Sequence, residues 1–192
     1  MNNTLKTQRS LMVLGLLFAV APLLADDELD GELEIRSAYA VPSHGTVLLS
    51  AHVIYPQSER ISAALKDGVT LSFDLEVIVS RHRRLWFDAD AVDLTRRREL
   101  SYHVISERFL LRDIEGNSQE SFPTLSAALA RLGQVEEWPI AVDAQLRSDE
   151  EWQIRLRAGV RRGTMPDALR ALMFWNDGWH RTSDWYSWTL VR

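Results

Sequence analysis

The chain has 192 residues, 46% of them hydrophobic, and 22 lysine and arginine residues stand against 27 aspartate and glutamate residues for a formal net charge of −5. That length and apolar fraction suit one packed domain and exclude general disorder. The negative charge argues against nucleic acid or an anionic membrane surface as a bulk partner. Cysteine is absent, which excludes a disulfide framework, a lipid-anchored cysteine, thiolate metal sites and a cysteine nucleophile.

The N-terminus reads as an export address. Lys6 and Arg9 are the only charged residues before Asp26, and an apolar run over 11–20 leads through Pro22 to Ala25 and then Asp26-Asp27-Glu28. A basic start, an apolar segment of about 7–15 residues and a small residue at the junction define a secretory signal peptide. Pro22 ends the run well short of the about 20 residues that a membrane span requires. Residues 1–25 are therefore expected to be removed after Ala25, leaving one β-rich domain over 26–192. The periplasm is its expected compartment, with no membrane span after cleavage. Losing Lys6 and Arg9 leaves 20 basic against 27 acidic residues, a net charge of −7.

Strand signals dominate the rest. Residues 32–41 alternate, with Leu33, Ile35, Tyr39 and Val41 against Glu32, Glu34 and Arg36. Such a period of two marks a half-buried strand. After Pro42, His44 and Gly45, residues 46–55 form a second strand. Ser58 is placed to cap a helix over 59–67, with Ile61, Ala64 and Leu65 inward and Gly68 at its end. The longest strand signal covers 69–79, where Val69, Leu71, Phe73, Leu75, Val77 and Val79 share a face opposite Thr70, Ser72, Asp74 and Glu76. Shorter strands are expected at 84–87, 100–106 and 109–114.

Thr124 is placed to cap a second helix over 125–132, with Leu125, Ala128, Leu129 and Leu132 inward. Gly133 is expected to take the left-handed turn at its end. The helices share the phrase Ile61-Ser-Ala-Ala-Leu65 and Leu125-Ser-Ala-Ala-Leu129, which internal duplication and common helix chemistry would both produce. Residues 151–161 alternate again, and a last strand covers 184–191. Strands with one polar face imply antiparallel sheets. The expected fold is a mainly β, sandwich-like domain (immunoglobulin-like or an open-barrel variant) with two short packing helices.

Few residue patterns carry chemistry. Asp88, Asp90 and Asp93 lack the glycine and closing glutamate of a calcium loop and read as a solvated turn. His44, His52, His82, His103 and His180 show no close ligand spacing, so no metal is assigned. No nucleophile elbow or phosphate-binding glycine loop is present. No catalytic residue and no cofactor are assigned, and whether the chain is an enzyme stays open, a non-enzymatic role being the favoured reading.

Two clusters remain as candidate binding residues. Arg155, Arg157 and Arg161 would line one face of a strand, suited to an anionic ligand or acidic partner. A solvent face paired with acidic residues would look the same. Arg81, Arg83 and Arg84 and the run Arg96-Arg97-Arg98 extend the theme. Four of the seven tryptophans lie in the last 18 residues: Trp175, Trp179, Trp185 and Trp188. Of these, Trp179, Trp185 and Trp188 are the candidates for a contact surface, although a terminal strand locked by aromatic packing would also explain them.

Several phrases together resemble an uncharacterised family of exported proteins of Gram-negative bacteria, domain-of-unknown-function family 4390. They are Arg83-Arg84-Leu85-Trp86-Phe87, Leu100-Ser101-Tyr102-His103, the stretch 122–133, Trp138-Pro139-Ile140, the strand at 152–157 and Trp185-Tyr186-Ser187-Trp188. Met165-Pro166 stands where the family tends to show Leu-Pro. The resemblance implies a signal peptide, no assigned activity and frequent encoding near a membrane sensor kinase of the nitrogen-regulation type. The resulting expectation is an interaction module serving an envelope sensor, the alternative being a periplasmic hydrolase or a small-ligand or glycan binder.

Overall fold

The computed structural model describes residues 29, 31–81, 89–143, 146, 150–163 and 179–190. The expected signal segment, the expected strand at 84–87, and His82, Arg83, Arg84, Asp88 and Trp175 lie outside them. Ten strands and two helices are found among the described residues. A three-stranded antiparallel sheet contains β1 (Glu34–Ser43), β2 (Thr46–Ile54) and β7 (Gln134–Val142), with β2 central. The larger sheet runs β10 (Tyr186–Thr189), β8 (Trp152–Arg162), β3 (Leu71–Arg81), β4 (Ala89–His103), β5 (Arg108–Asp113) and β6 (Ser118–Phe122). A short β9 (His180–Thr182) shares the outer edge of β8 with β10. Among the described residues the fold is thus mainly β and antiparallel, with two helices and no closed barrel.

The core forms where alternation turns apolar residues of both sheets inward. Leu71, Phe73, Leu75, Val77 and Val79 of β3 are buried, as are Trp152, Ile154, Leu156, Ala158 and Val160 of β8. The smaller sheet answers with Val47, Leu49, Ala51 and Val53 of β2 and with Trp138 and Ile140 of β7. Each helix carries the chain from one sheet to the other. Helix α1 (Glu59–Lys66) leads from β2 to β3, and α2 (Leu125–Gly133) leads back from β6 to β7. Ser58 Oγ accepts from the Ile61 N–H and Thr124 Oγ1 from the Ala127 N–H, both at 3.2 Å, so both expected caps form.

Besides the phase of β1, where a register shift after Ile35 buries Ala40 and leaves Tyr39 and Val41 exposed, four sequence expectations need correction. The aspartate segment is no turn: Asp90 and Asp93 lie in β4, opposite Ser80 and Ile78 of β3. Strand β6 was hidden because its residues are polar and mostly exposed. Strand β7 was hidden because register shifts against β2 and Glu137 in the left-handed region (φ 46°) break the period of two. Its Pro139 is tolerated because β7 pairs on one side only.

Gly133 is the fourth correction. It does not supply a left-handed turn, whereas Gly68 (φ 92°) after α1 does. It is needed for closeness, since a Cβ there would overlap the Val53 carbonyl oxygen of β2. Beside it, Arg98 points from β4 into the interior, with 6% of its surface exposed. Its Nη2 donates at 2.5 Å to the Leu132 carbonyl in the last turn of α2. That bond satisfies a carbonyl left over at the helix end and sets a cation at the negative end of the dipole, an effect of about 0.3–2 kcal/mol.

Gly133→Ala tests the helix-to-sheet approach. Helix propensity alone would favour alanine by about 1 kcal/mol, but the clash is with backbone and overpacking costs about 1–3 kcal/mol or more. A net loss of stability is expected in urea unfolding, and a raised midpoint would contradict the packing argument.

Candidate functional site

Arg155, Arg157 and Arg161 lie together on the outer face of β8, because their even-numbered neighbours point into the core. Opposite them on β3 stand Ile78, Glu76 and Ser72, with Asp74 opposite Gly159. Arg157 Nη2 reaches Glu76 Oε2 at 2.6 Å, and Arg161 Nε reaches Asp74 Oδ2 at 3.0 Å. From the other side, Arg97 of β4 meets Asp74 Oδ1 at 2.6 Å. Asp74 is therefore held between guanidinium groups from both neighbouring strands. The Arg96-Arg97-Arg98 run divides accordingly, Arg97 going outward while Arg96 and Arg98 go inward.

Trp185 completes this face through an irregular edge. Thr182 stands opposite Gly159 and Tyr186 opposite Leu156, so three residues, Ser183 to Trp185, face two on β8. Such a bulge re-aims a side chain. Ser183 anchors it, donating its N–H to the Ala158 carbonyl at 2.8 Å and accepting the Ala158 N–H on Oγ at 3.0 Å. The guanidinium carbons of Arg157 and Arg155 then lie 4.4 and 5.4 Å from the centre of the Trp185 ring, within cation–π range.

The other candidate tryptophans go elsewhere. Trp179 is a core residue at 5% exposure, and Trp188 is half-buried against the core beside Tyr186, ring centres 5.8 Å apart. The structure brings Arg155, Arg157, Arg161 and Trp185 together and leaves Trp179 and Trp188 out of that surface. It adds Asp74, Glu76 and Arg97, whose part depends on strand register.

Gly159 lies between Arg157 and Arg161 on the same face and leaves a recess of about 150 Å³, walled by Asp74, Glu76, Arg157, Arg161, His180 and Thr182. A second recess, of about 230 Å³, is lined by Leu33, Ile35, Trp185 and Tyr186 together with Glu34, Ser183 and Asp184. The stacked pair Arg157–Trp185 thus stands between an arginine-walled recess and one of mixed apolar and acidic lining.

Asp74 is poorly suited to proton transfer. Burial pushes the Asp74 carboxyl up, but the hydrogen bonds and charges of Arg97 and Arg161 outweigh it and hold the group below its ordinary value. A carboxylate so held is a weak base. Among the described residues the one close Ser–His pair, His103 Nδ1 with Ser106 Oγ at 2.8 Å, is exposed near the β4–β5 turn. Among the described residues no group of three or more His, Asp or Glu is arranged to hold a metal ion, and no helix is long and apolar enough to cross a membrane.

An antiparallel two-sheet domain with a guanidinium-rich outer face is the class of protein these features define. The chain belongs to the family described as Domain of unknown function (DUF4390), whose model matches residues 30–189. No curated protein and no solved structure matches it.

Asp74 yields a pH test. Its lowered value means that its pairing stabilises the fold above the ordinary carboxylate range and is lost as pH falls through the folded-state value. The stability gap between the wild type and Asp74→Asn is expected to persist from pH 7 down to about pH 4 and to close below it. A gap that stays constant to strongly acid pH would contradict the Arg97–Asp74–Arg161 bridge.

Proposed function

We propose that the protein is an exported, non-enzymatic interaction module that binds an acidic segment of an envelope partner, a membrane sensor protein being the expected one. The carrying observation is the stack of Arg155 and Arg157 on Trp185, set between two recesses. On the sheet side of Trp185, Arg97, Arg155, Arg157 and Arg161 outnumber Asp74 and Glu76, so that side is cationic, whereas Glu34 and Asp184 line the recess on the other side. Arg155 has no carboxylate among its contacts in the described residues.

Energetics favour exchange with a partner. Ion pairs in contact with water are worth about 0–1 kcal/mol, so a partner carboxylate can take over the guanidinium groups of Arg157 or Arg161 at small cost. Aromatic and arginine anchors, by contrast, often cost 2 kcal/mol or more each when truncated at an interface. A partner side chain of apolar character would occupy the recess beside Trp185 while its acidic neighbours meet Arg155 and Arg157. Export rests on the N-terminal sequence pattern, and the sensor on the family resemblance.

The competing readings find less support in the site. A hydrolase needs an available base, but Asp74 and Glu76 are both tied to arginines. A sugar platform needs a bare aromatic face, and that of Trp185 carries guanidinium groups.

Capture from an envelope extract tests the proposal. The wild type is expected to retain a partner whose binding weakens with salt, and Trp185→Ala to lose about 2 kcal/mol, roughly thirtyfold. Gly159→Ala introduces a Cβ that meets only ordinary contacts, the nearest being Thr182 Cγ2 at 3.6 Å, so it should fold and yet fill the recess floor. Combined reversal of Arg155, Arg157 and Arg161 to glutamate should abolish capture. A partner retained equally by the folded Gly159→Ala protein and by the triple reversal would refute this face as the contact surface.

A further inference from the structure

Arg98 presents a charge problem that the fold does not solve by itself. The side chain is almost wholly buried, yet among the described residues its one acceptor is the Leu132 carbonyl. A guanidinium carries five N–H donors and stays charged in proteins, and a buried charge is ordinarily paired. Two of the three acids nearby, Asp113 and Glu120, are already engaged. Asp113 accepts Arg96 Nε and Nη2 on one oxygen, at 3.0 and 2.5 Å, and the N–H groups of Glu115 and Gly116 on the other. Glu120 accepts from Arg131 Nε at 3.2 Å. Burial pushes the neighbouring Tyr55 phenol up to about 12, so it stays neutral and supplies no counter-charge.

A polar cavity of about 120 Å³ opens at this point, between the large sheet and the end of α2. Arg96, Arg98 and Arg131 line it together with Asp113, Glu120 and Glu136. Three arginines converge, and the one that reaches deepest has no carboxylate partner. The wall acids disfavour a doubly charged guest, whereas a singly charged, planar group fits the fork of Arg98. We infer that this cavity is a binding site for a carboxylate group, received by Arg98 with Arg96 and Arg131 at its flanks. The site lies on the inner side of the large sheet and is independent of the Trp185 face. The carboxylate comes either from a small organic acid or from an acidic peptide side chain, and the recognition chemistry is the same.

Titration of the full-length protein with acetate and with a short glutamate-containing peptide, followed by the Arg98 Nε–H resonance, tests the site. Chloride and sulfate at matched ionic strength are the controls. A saturable shift with carboxylate, absent with chloride and sulfate, is expected; whether acetate or the peptide binds more tightly identifies the source. Arg98→Lys keeps the charge but loses the fork and should weaken binding by about tenfold, the worth of one charge-assisted hydrogen bond. Arg131→Gln alters only the rim and guards against misfolding of the Arg98 variant, and a severalfold loss is expected there too. Absence of a saturable shift in the wild type, or an equal response to chloride or sulfate, would overturn the inference.

Discussion

Strand β3 carries the constraint on which the rest of the structure depends. Its alternation sends Leu71, Phe73, Leu75, Val77 and Val79 into the core and Asp74 and Glu76 to the opposite face. Because β3 pairs with both β4 and β8, that phase is imposed on each neighbour. A slip of one residue would exchange the two faces entirely, stranding Asp74 and Glu76 in the core and removing Arg157 and Arg161 from their partners. Burying five large apolar side chains, at about 1.5–3 kcal/mol each, outweighs ion pairs worth up to about 1 kcal/mol apiece. The core therefore fixes the register, and the charged face follows from it.

The same rule explains why arginine appears on both sides of the large sheet. In the run Arg96-Arg97-Arg98, alternation turns one guanidinium outward to Asp74 and two inward, one to Asp113 and one to the end of α2. The inward cation links β4 to the helix that returns the chain to the smaller sheet. Gly133 brings that helix close enough, with no side chain between it and the Val53 carbonyl. Packing and charge placement thus meet at one corner of the fold.

Much of this was readable in the residues. The alternating stretches at 69–79 and 151–161 identify β3 and β8, and they place Arg155, Arg157 and Arg161 on one polar face. The caps Ser58 and Thr124 locate both helices. What local pattern could not supply was register. Glu76 and Arg157 stand 81 residues apart, and only the β3–β8 ladder reveals them as partners. Trp179, Trp185 and Trp188 look equivalent in the sequence, but the bulge at Ser183 sends only Trp185 to the arginine face. The β4 segment around Asp93 reads as a turn because strand signals depend on apolar spacing, and both faces of that strand carry charge, Asp93, Arg97 and Glu99 on one and Arg96 and Arg98 on the other.

Site-specific photo-crosslinking in the envelope tests the central claim most directly. With a crosslinking residue at Thr182, on the rim of the charged recess, and in a separate protein at Tyr39, exposed on the smaller sheet, mass spectrometry would identify each captured peptide. The account predicts an acidic partner segment captured from position 182, with little or no capture from position 39. Capture of the same partner from position 39 and not from position 182 would contradict it.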